Sequence, residues 1–182
     1  MKKKTLALLL ALVLVFGAAV GGTIAYLTDT TDPVTNTFTV GNIDITLAET
    51  KDDFKMVPGC DIAKDPKVTV TANSEDCWLF VKIDESSNLK DFISYNVATG
   101  WTKGDGNGIP SNVWYRSVAA STTDQVFSVL AGDKVTVNTS VTKTMMDGLE
   151  VTGATQPTLT FTAYACQSAN MSVEAAWAEV NK

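Results

Sequence analysis

The clearest pattern in the chain is alternation. Residues 158–165 put Leu159, Phe161, Ala163 and Ala165 on one face of an extended segment, and a period of two predicts a strand. Ile43, Ile45 and Leu47 alternate with Asp44 and Thr46 and predict another. Phe38 and Val40 have the opposite parity, so Gly41-Asn42 must shift the face by a bulge or kink. Residues 67–71 read as a strand after the Pro58-Gly59 turn and the Asp65-Pro66 break. Residues 77–83 are apolar on both faces, with Leu79, Val81 and Ile83 on one and Trp78 and Phe80 on the other. That predicts a central strand covered on both sides. Residues 113–118 return from a turn-rich tip at Gly104-Asp-Gly-Asn-Gly108. Residues 124–130 and 134–141 flank Ala131-Gly-Asp133, which predicts a hairpin. Helical spacing is confined to short pieces. Residues 89–93 suit one turn and 144–149 a short helix. Ser172 suits an N-cap before Val173, Ala176, Trp177 and Val180, which share one helical face. Roughly eight short strands with turns every 8–12 residues predict an all-β fold, a jelly-roll-like antiparallel β-sandwich with a short C-terminal helix.

The N-terminus follows a different rule. Lys2, Lys3 and Lys4 precede an unbroken apolar run from Leu6 to Phe16, and the small residues Thr23 and Ala25 follow it. This is the layout of a secretory signal peptide cleaved between Ala25 and Tyr26. The apolar stretch ends near Val20, short of the ~20 residues that span a bilayer, so cleavage is preferred to a permanent anchor. Three segments result: a cleavable signal peptide (1–25), an extended N-terminal segment (26–37) and a sandwich domain (38–182). The second is polar, with Asp29, Asp32 and Pro33, and carries the apolar residues Tyr26, Leu27 and Val34. An extended segment without a local partner is suited to strand addition.

Charge narrows the partners. The chain has 14 basic and 20 acidic residues, a net −6; removal of Lys2, Lys3 and Lys4 leaves 11 against 20, or −9. An acidic body repels nucleic acid and anionic lipid, so neither is an expected partner, and membrane contact is expected only before cleavage. The histidine count is zero. Ser-His-Asp triads, Cys-His pairs and HExxH zinc sites are therefore excluded, and neither GxSxG nor a Walker loop is present. No catalytic residue, cofactor or metal site is expected. Asp105 and Asn107 resemble the start of a calcium loop, but no glutamate closes it at 111–114, and a hairpin tip accounts for them. The pairs Glu75-Asp76 and Asp84-Glu85 flank the 77–83 strand, where sequence neighbours point to opposite faces and do not converge. Cys60, Cys77 and Cys166 are odd in number and lack CxxC spacing, so they read as small buried or half-buried hydrophobes, with one disulfide left open. Trp78, Trp101, Trp114 and Trp177 allow a sugar-stacking face, although core filling is the commoner role.

Several stretches together resemble one family. The segments Gly21-Gly-Thr-Ile-Ala-Tyr-Leu-Thr-Asp29 and Asn36-Thr-Phe-Thr-Val-Gly-Asn-Ile-Asp-Ile-Thr-Leu47 look like the amino-terminal signature of the TasA/camelysin family. Pro58-Gly59 with Lys64-Asp-Pro66, the strand 77–83, and Thr160-Phe-Thr-Ala-Tyr-Ala165 with Ala175-Ala-Trp177 are similar too; residues 88–151 match only loosely. The resemblance implies a bacterial jelly-roll sandwich processed by a SipW-type signal peptidase. It also implies secretion to the cell surface or biofilm matrix, with fibres built from copies of the chain or related matrix proteins. In that family the strand freed at the mature N-terminus is thought to pair into the next subunit, head to tail, which here gives Tyr26, Leu27 and Val34 the role of pegs. Two alternatives stand beside this expectation: a secreted metallopeptidase of the camelysin type, described for casein, and a monomeric surface-binding module.

Overall fold

The computed structural model describes residues 42–50 and 55–182. Its strands are β1 (Ile45–Ala48), β2 (Asp61–Ala63), β3 (Lys67–Val70), β4 (Cys77–Glu85), β5 (Ile93–Ser94), β6 (Thr102–Lys103), β7 (Val113–Val118), β8 (Gln125–Ser128), β9 (Lys134–Val137) and β10 (Leu159–Gln167). The helices are α1 (Leu89–Phe92), α2 (Lys143–Leu149) and α3 (Val173–Val180). Every pairing is antiparallel.

One sheet runs β10-β4-β7-β6. Its inner strand β4 is the one the sequence marks as apolar on both faces, and the alternation sorts those faces. Cys77, Leu79, Val81 and Ile83 enter the main core with Val68, Val70, Val118 and Val129. Phe80, between them, points the other way and joins Val113, Ala176 and Trp177 in a second cluster under α3. Leu79 and Phe80 are both fully buried on opposite sides of one strand. Each such side chain stabilises the fold by about 1.5–3 kcal/mol relative to exposure. In β10, Leu159, Phe161, Ala163 and Ala165 pack on the inner side as the alternation predicts, while Tyr164 and Cys166 face α3.

The facing layer is built from β1-β3-β8 and β2-β9-β5. These two run on from one another. The Lys64 N–H donates to the Asp133 carbonyl (2.9 Å) and the Val129 N–H to that of Pro66 (2.9 Å), carrying the ladder across the break. Here the structure corrects the hairpin expected at Ala131-Gly-Asp133. β8 and β9 do not pair with each other; β8 pairs with β3, and β9 with β2 and β5. Gly132 (φ 68°) and Asp133 (φ 51°) both adopt left-handed backbone. They make a jog between two collinear strands, matching the Asp65-Pro66 jog opposite. The chain crosses repeatedly between the layers, giving an all-β sandwich with a short C-terminal helix.

That helix starts as expected: Ser172 Oγ accepts from the Ala175 N–H (3.3 Å), and Ala176 and Trp177 are its buried residues. Trp177 lies 5.4 Å from the rings of both Phe80 and Tyr164. At the sandwich end, α1 and α2 pack around Leu89, Phe92, Leu130 and Val141. At the 104–108 tip, Gly106 and Gly108 have φ near +87°, and Asp105 Oδ1 accepts from the Asn107 N–H (2.8 Å), closing a turn on itself.

Candidate assembly edge

Two layers laid face to face have open sides. On one side run the outer edges of β1 and β10, and among the described residues no strand pairs with either. The edge of β10 is nine residues long and that of β1 is four. In an antiparallel strand alternate residues send both N–H and C=O to the same side, so β10 offers about four or five residues' worth of outward backbone groups.

Between the two edges lies a furrow. One part, with a cavity volume of about 360 Å3, is lined by Leu47, Glu49, Lys64, Pro66, Leu159 and Phe161. A second part of about 410 Å3 shares Lys64, Leu159 and Thr160 with it and continues past Met56, Ile62 and Pro157. Leu47 keeps 37% of its surface exposed at the rim. It sits on β1 opposite Val68, in the register that places Ile45 opposite Val70. The alternation of the first strand thus delivers Ile45 to the core and Leu47 to the furrow. Two polar contacts hold the rim. Lys64 is paired with Glu49 (Nζ to Oε1, 2.7 Å), and its ammonium lies 5.6 Å from the Phe161 ring centroid. Asp65 accepts from the Thr50 hydroxyl (2.6 Å) and N–H (3.0 Å), which holds its carboxyl below the usual range. Both contacts tie the end of β1 to the 64–66 jog.

Of the residues singled out in the sequence, Ala25, Tyr26, Leu27 and Val34 lie outside the described residues, as do Phe38, Val40 and the proposed cleavage site. The carboxylate pairs differ from the expectation that neither converges: Asp84 and Glu85 both line one depression on the far side of the sandwich. Asp76 accepts from the Ala120 N–H (2.6 Å). Asp84 accepts from Asn112 and pairs with Lys82, while Glu85 accepts from Tyr95 and pairs with Lys90. Among the described residues no group of three or more His, Cys, Asp or Glu is placed to hold a metal ion. The three cysteines are free: Cys77 is buried, Cys166 half-buried, and Cys60 exposed rather than covered. Cys77 and Cys166 are on neighbouring strands but on opposite faces of the sheet, so they cannot bridge without rebuilding it.

A shared face of four tryptophans does not form. Trp177 and Trp78 belong to the outer cluster, with the Trp78 Nε1–H donating to the Met171 carbonyl (3.2 Å). Trp101 is buried between the layers and donates to the Ser128 carbonyl (2.9 Å). Its ring lies 5.5 Å from the Arg116 guanidinium, which stacks at 4.0 Å over Phe127. Trp114, half-buried as Trp78 is, stands apart from the others beside a polar groove on the far side of the sandwich. The free edge of β10 was not legible from its residues, because alternation reports which face is buried and not which edge is paired. Comparisons with protein-family models, with curated proteins and with solved structures return no match for this chain.

Proposed function

We propose that this chain is an exported structural subunit of a bacterial cell surface or biofilm matrix, and that it polymerises by N-terminal strand addition. The observation that carries the reading is the nine-residue edge of β10 beside the furrow. The segment 26–36 of a neighbouring copy supplies the added strand. Its backbone pairs with β10, and Tyr26, Leu27 and Val34 enter the apolar parts of the furrow. A fully buried peg contributes about 1.5–3 kcal/mol. The contact is head-to-tail and does not close on itself, so it yields filaments rather than dimers. While the signal peptide is attached the donor strand is held at the membrane; cleavage after Ala25 releases it. The resemblance to the TasA/camelysin family supports the same assembly.

The experiment compares protein beginning at Tyr26 with protein beginning at Asn36, by light scattering and electron microscopy. The longer form polymerises; the shorter stays a folded monomer with the same far-UV spectrum. Filaments from the truncated protein, or a full mature form that remains monomeric at high concentration, refute strand donation. Casein cleavage by the same preparation, abolished by chelator, would instead favour the peptidase reading.

A further inference from the structure

The side of the sandwich away from β1 and β10 carries a second, chemically different groove. Two depressions of about 410 and 380 Å3 adjoin there and share Glu85, Lys90, Tyr95 and Trp114. Trp114 reaches it for a reason of register. It sits opposite Val81 on β7 and so faces inward, but only the two-residue β6 lies beyond β7. Its ring is therefore covered by the core on one side and left accessible at the open side of the sandwich.

The polar groups around the ring are fixed by one another. Asp84 Oδ1 accepts from the Asn112 amide (3.0 Å), and Oδ2 pairs with Lys82 (3.0 Å). Glu85 Oε1 accepts from the Tyr95 hydroxyl (2.6 Å), and Oε2 pairs with Lys90 (3.2 Å). A carboxylate has about four lone-pair sites, so each keeps acceptor capacity after these bonds. Each carboxylate is paired with a lysine and Lys103 adds one positive charge at the rim, so the groove's net charge is small and gives no deep well for a strongly ionic ligand. A half-buried indole beside pre-positioned donors and acceptors matches a ligand with an apolar C–H face and a rim of hydroxyls. A peptide fits less well, because β6 is too short to template an added strand.

We propose that the Trp114 groove binds neutral polysaccharide, with two consecutive hexose units lying across the two depressions. One ring stacks on Trp114, and hydroxyls bond Asp84, Asn112 and Glu85. The exposed Lys103, whose ammonium stands 5.9 Å from the Trp114 ring centroid, swings aside on binding. The site is independent of the N-terminal strand.

The test uses the chain truncated to start at Asn36 and the mature chain starting at Tyr26. Each is titrated with neutral hexa-saccharides of β-1,3-glucan, β-1,4-glucan and β-1,4-galactan, by calorimetry and tryptophan fluorescence. Saturable binding to at least one series is expected, with equal affinity in both forms. Trp114→Phe, which leaves only a smaller ring to stack on, weakens it severalfold. Asn112→Ala also weakens it, while Lys103→Ala leaves it equal or tighter. Far-UV spectra and melting curves confirm that each variant is folded. Absence of saturation with every neutral series at about 10 mM overturns the proposal. So does binding that Trp114→Phe and Asn112→Ala leave unchanged, or a casein-derived peptide mixture that competes equally well.

Discussion

Trp177→Ala tests whether α3 is an integral part of the fold or an appendage. The indole is 3% exposed and fills the space between Phe80, Tyr164 and the helix backbone. Truncating a buried tryptophan costs about 3–5 kcal/mol, part lost transfer energy and part cavity. Apart from the Ser172 cap and the half-buried Val173 and Val180, little else holds the helix. It has eight residues, far below the length at which an isolated helix persists in water, and its other buried residue is Ala176. The variant should therefore lose the helix as well as the contact. At about 2–4 °C per kcal/mol for a domain of this size, the melting temperature falls by about 10–15 °C. Urea unfolding followed by circular dichroism gives the free energy; the far-UV signal at 222 nm reports the helix. Trp177→Phe keeps a ring against Phe80 and should lose half as much or less. A loss below about 1 kcal/mol in the alanine variant, with the helix signal intact, would mean that the outer cluster contributes little and that the sandwich core alone sustains the fold.

Other expectations follow from single residues. A Cβ at Gly104 would meet the Pro110 carbonyl oxygen and stand 2.7 Å from that of Ile109, so Gly104→Ala should cost about 1–3 kcal/mol in urea melts. Gly106 has open space but φ +87°, so Gly106→Ala should cost only about 1 kcal/mol, through backbone strain. Thiol labelling at pH 8 should modify exposed Cys60 first and Cys77 last, since burial raises the Cys77 thiol to about 11; equal rates for all three would contradict the fold. Burial pushes Glu85 upward, but hydrogen bonds from Tyr95 and Lys90 outweigh it and hold its carboxyl below 4.5. Its contribution to stability is thus present above pH 4.5 and lost as pH falls through the lower folded value. Tyr95→Phe should flatten the stability–pH curve below pH 4.5, and an unchanged curve would show that the hydroxyl does not hold the carboxylate.

Much of this was legible in the sequence, for identifiable reasons. The strand at 77–83 and the alternation at 158–165 each report burial directly, and β4 and β10 lie where those patterns place them. The Ser172 cap and the spacing of Ala176 and Trp177 fixed α3 in the same way. The 131–133 segment misled because Gly in left-handed backbone serves a reversal and a jog equally; what decides is the partner strand, β3 with β2, far away in sequence. β2, β5 and β6 have three or two residues and no period to detect. At the candidate site, Leu47 and Phe161 were readable as strand residues. Their convergence on one furrow depends on which strands end each layer, and so does the isolation of Trp114 from the other three tryptophans.

The most direct test of assembly by strand addition is amide hydrogen exchange on β10, measured in filaments and in the monomer that starts at Asn36. Outward amides of an unpaired edge exchange quickly, and pairing with an added strand protects them. Strand addition predicts strong new protection at alternate residues of 159–167 in the filament, with the β4-facing amides protected in both states. Filaments in which the 159–167 amides exchange as fast as in the monomer, while another surface becomes protected, would contradict it.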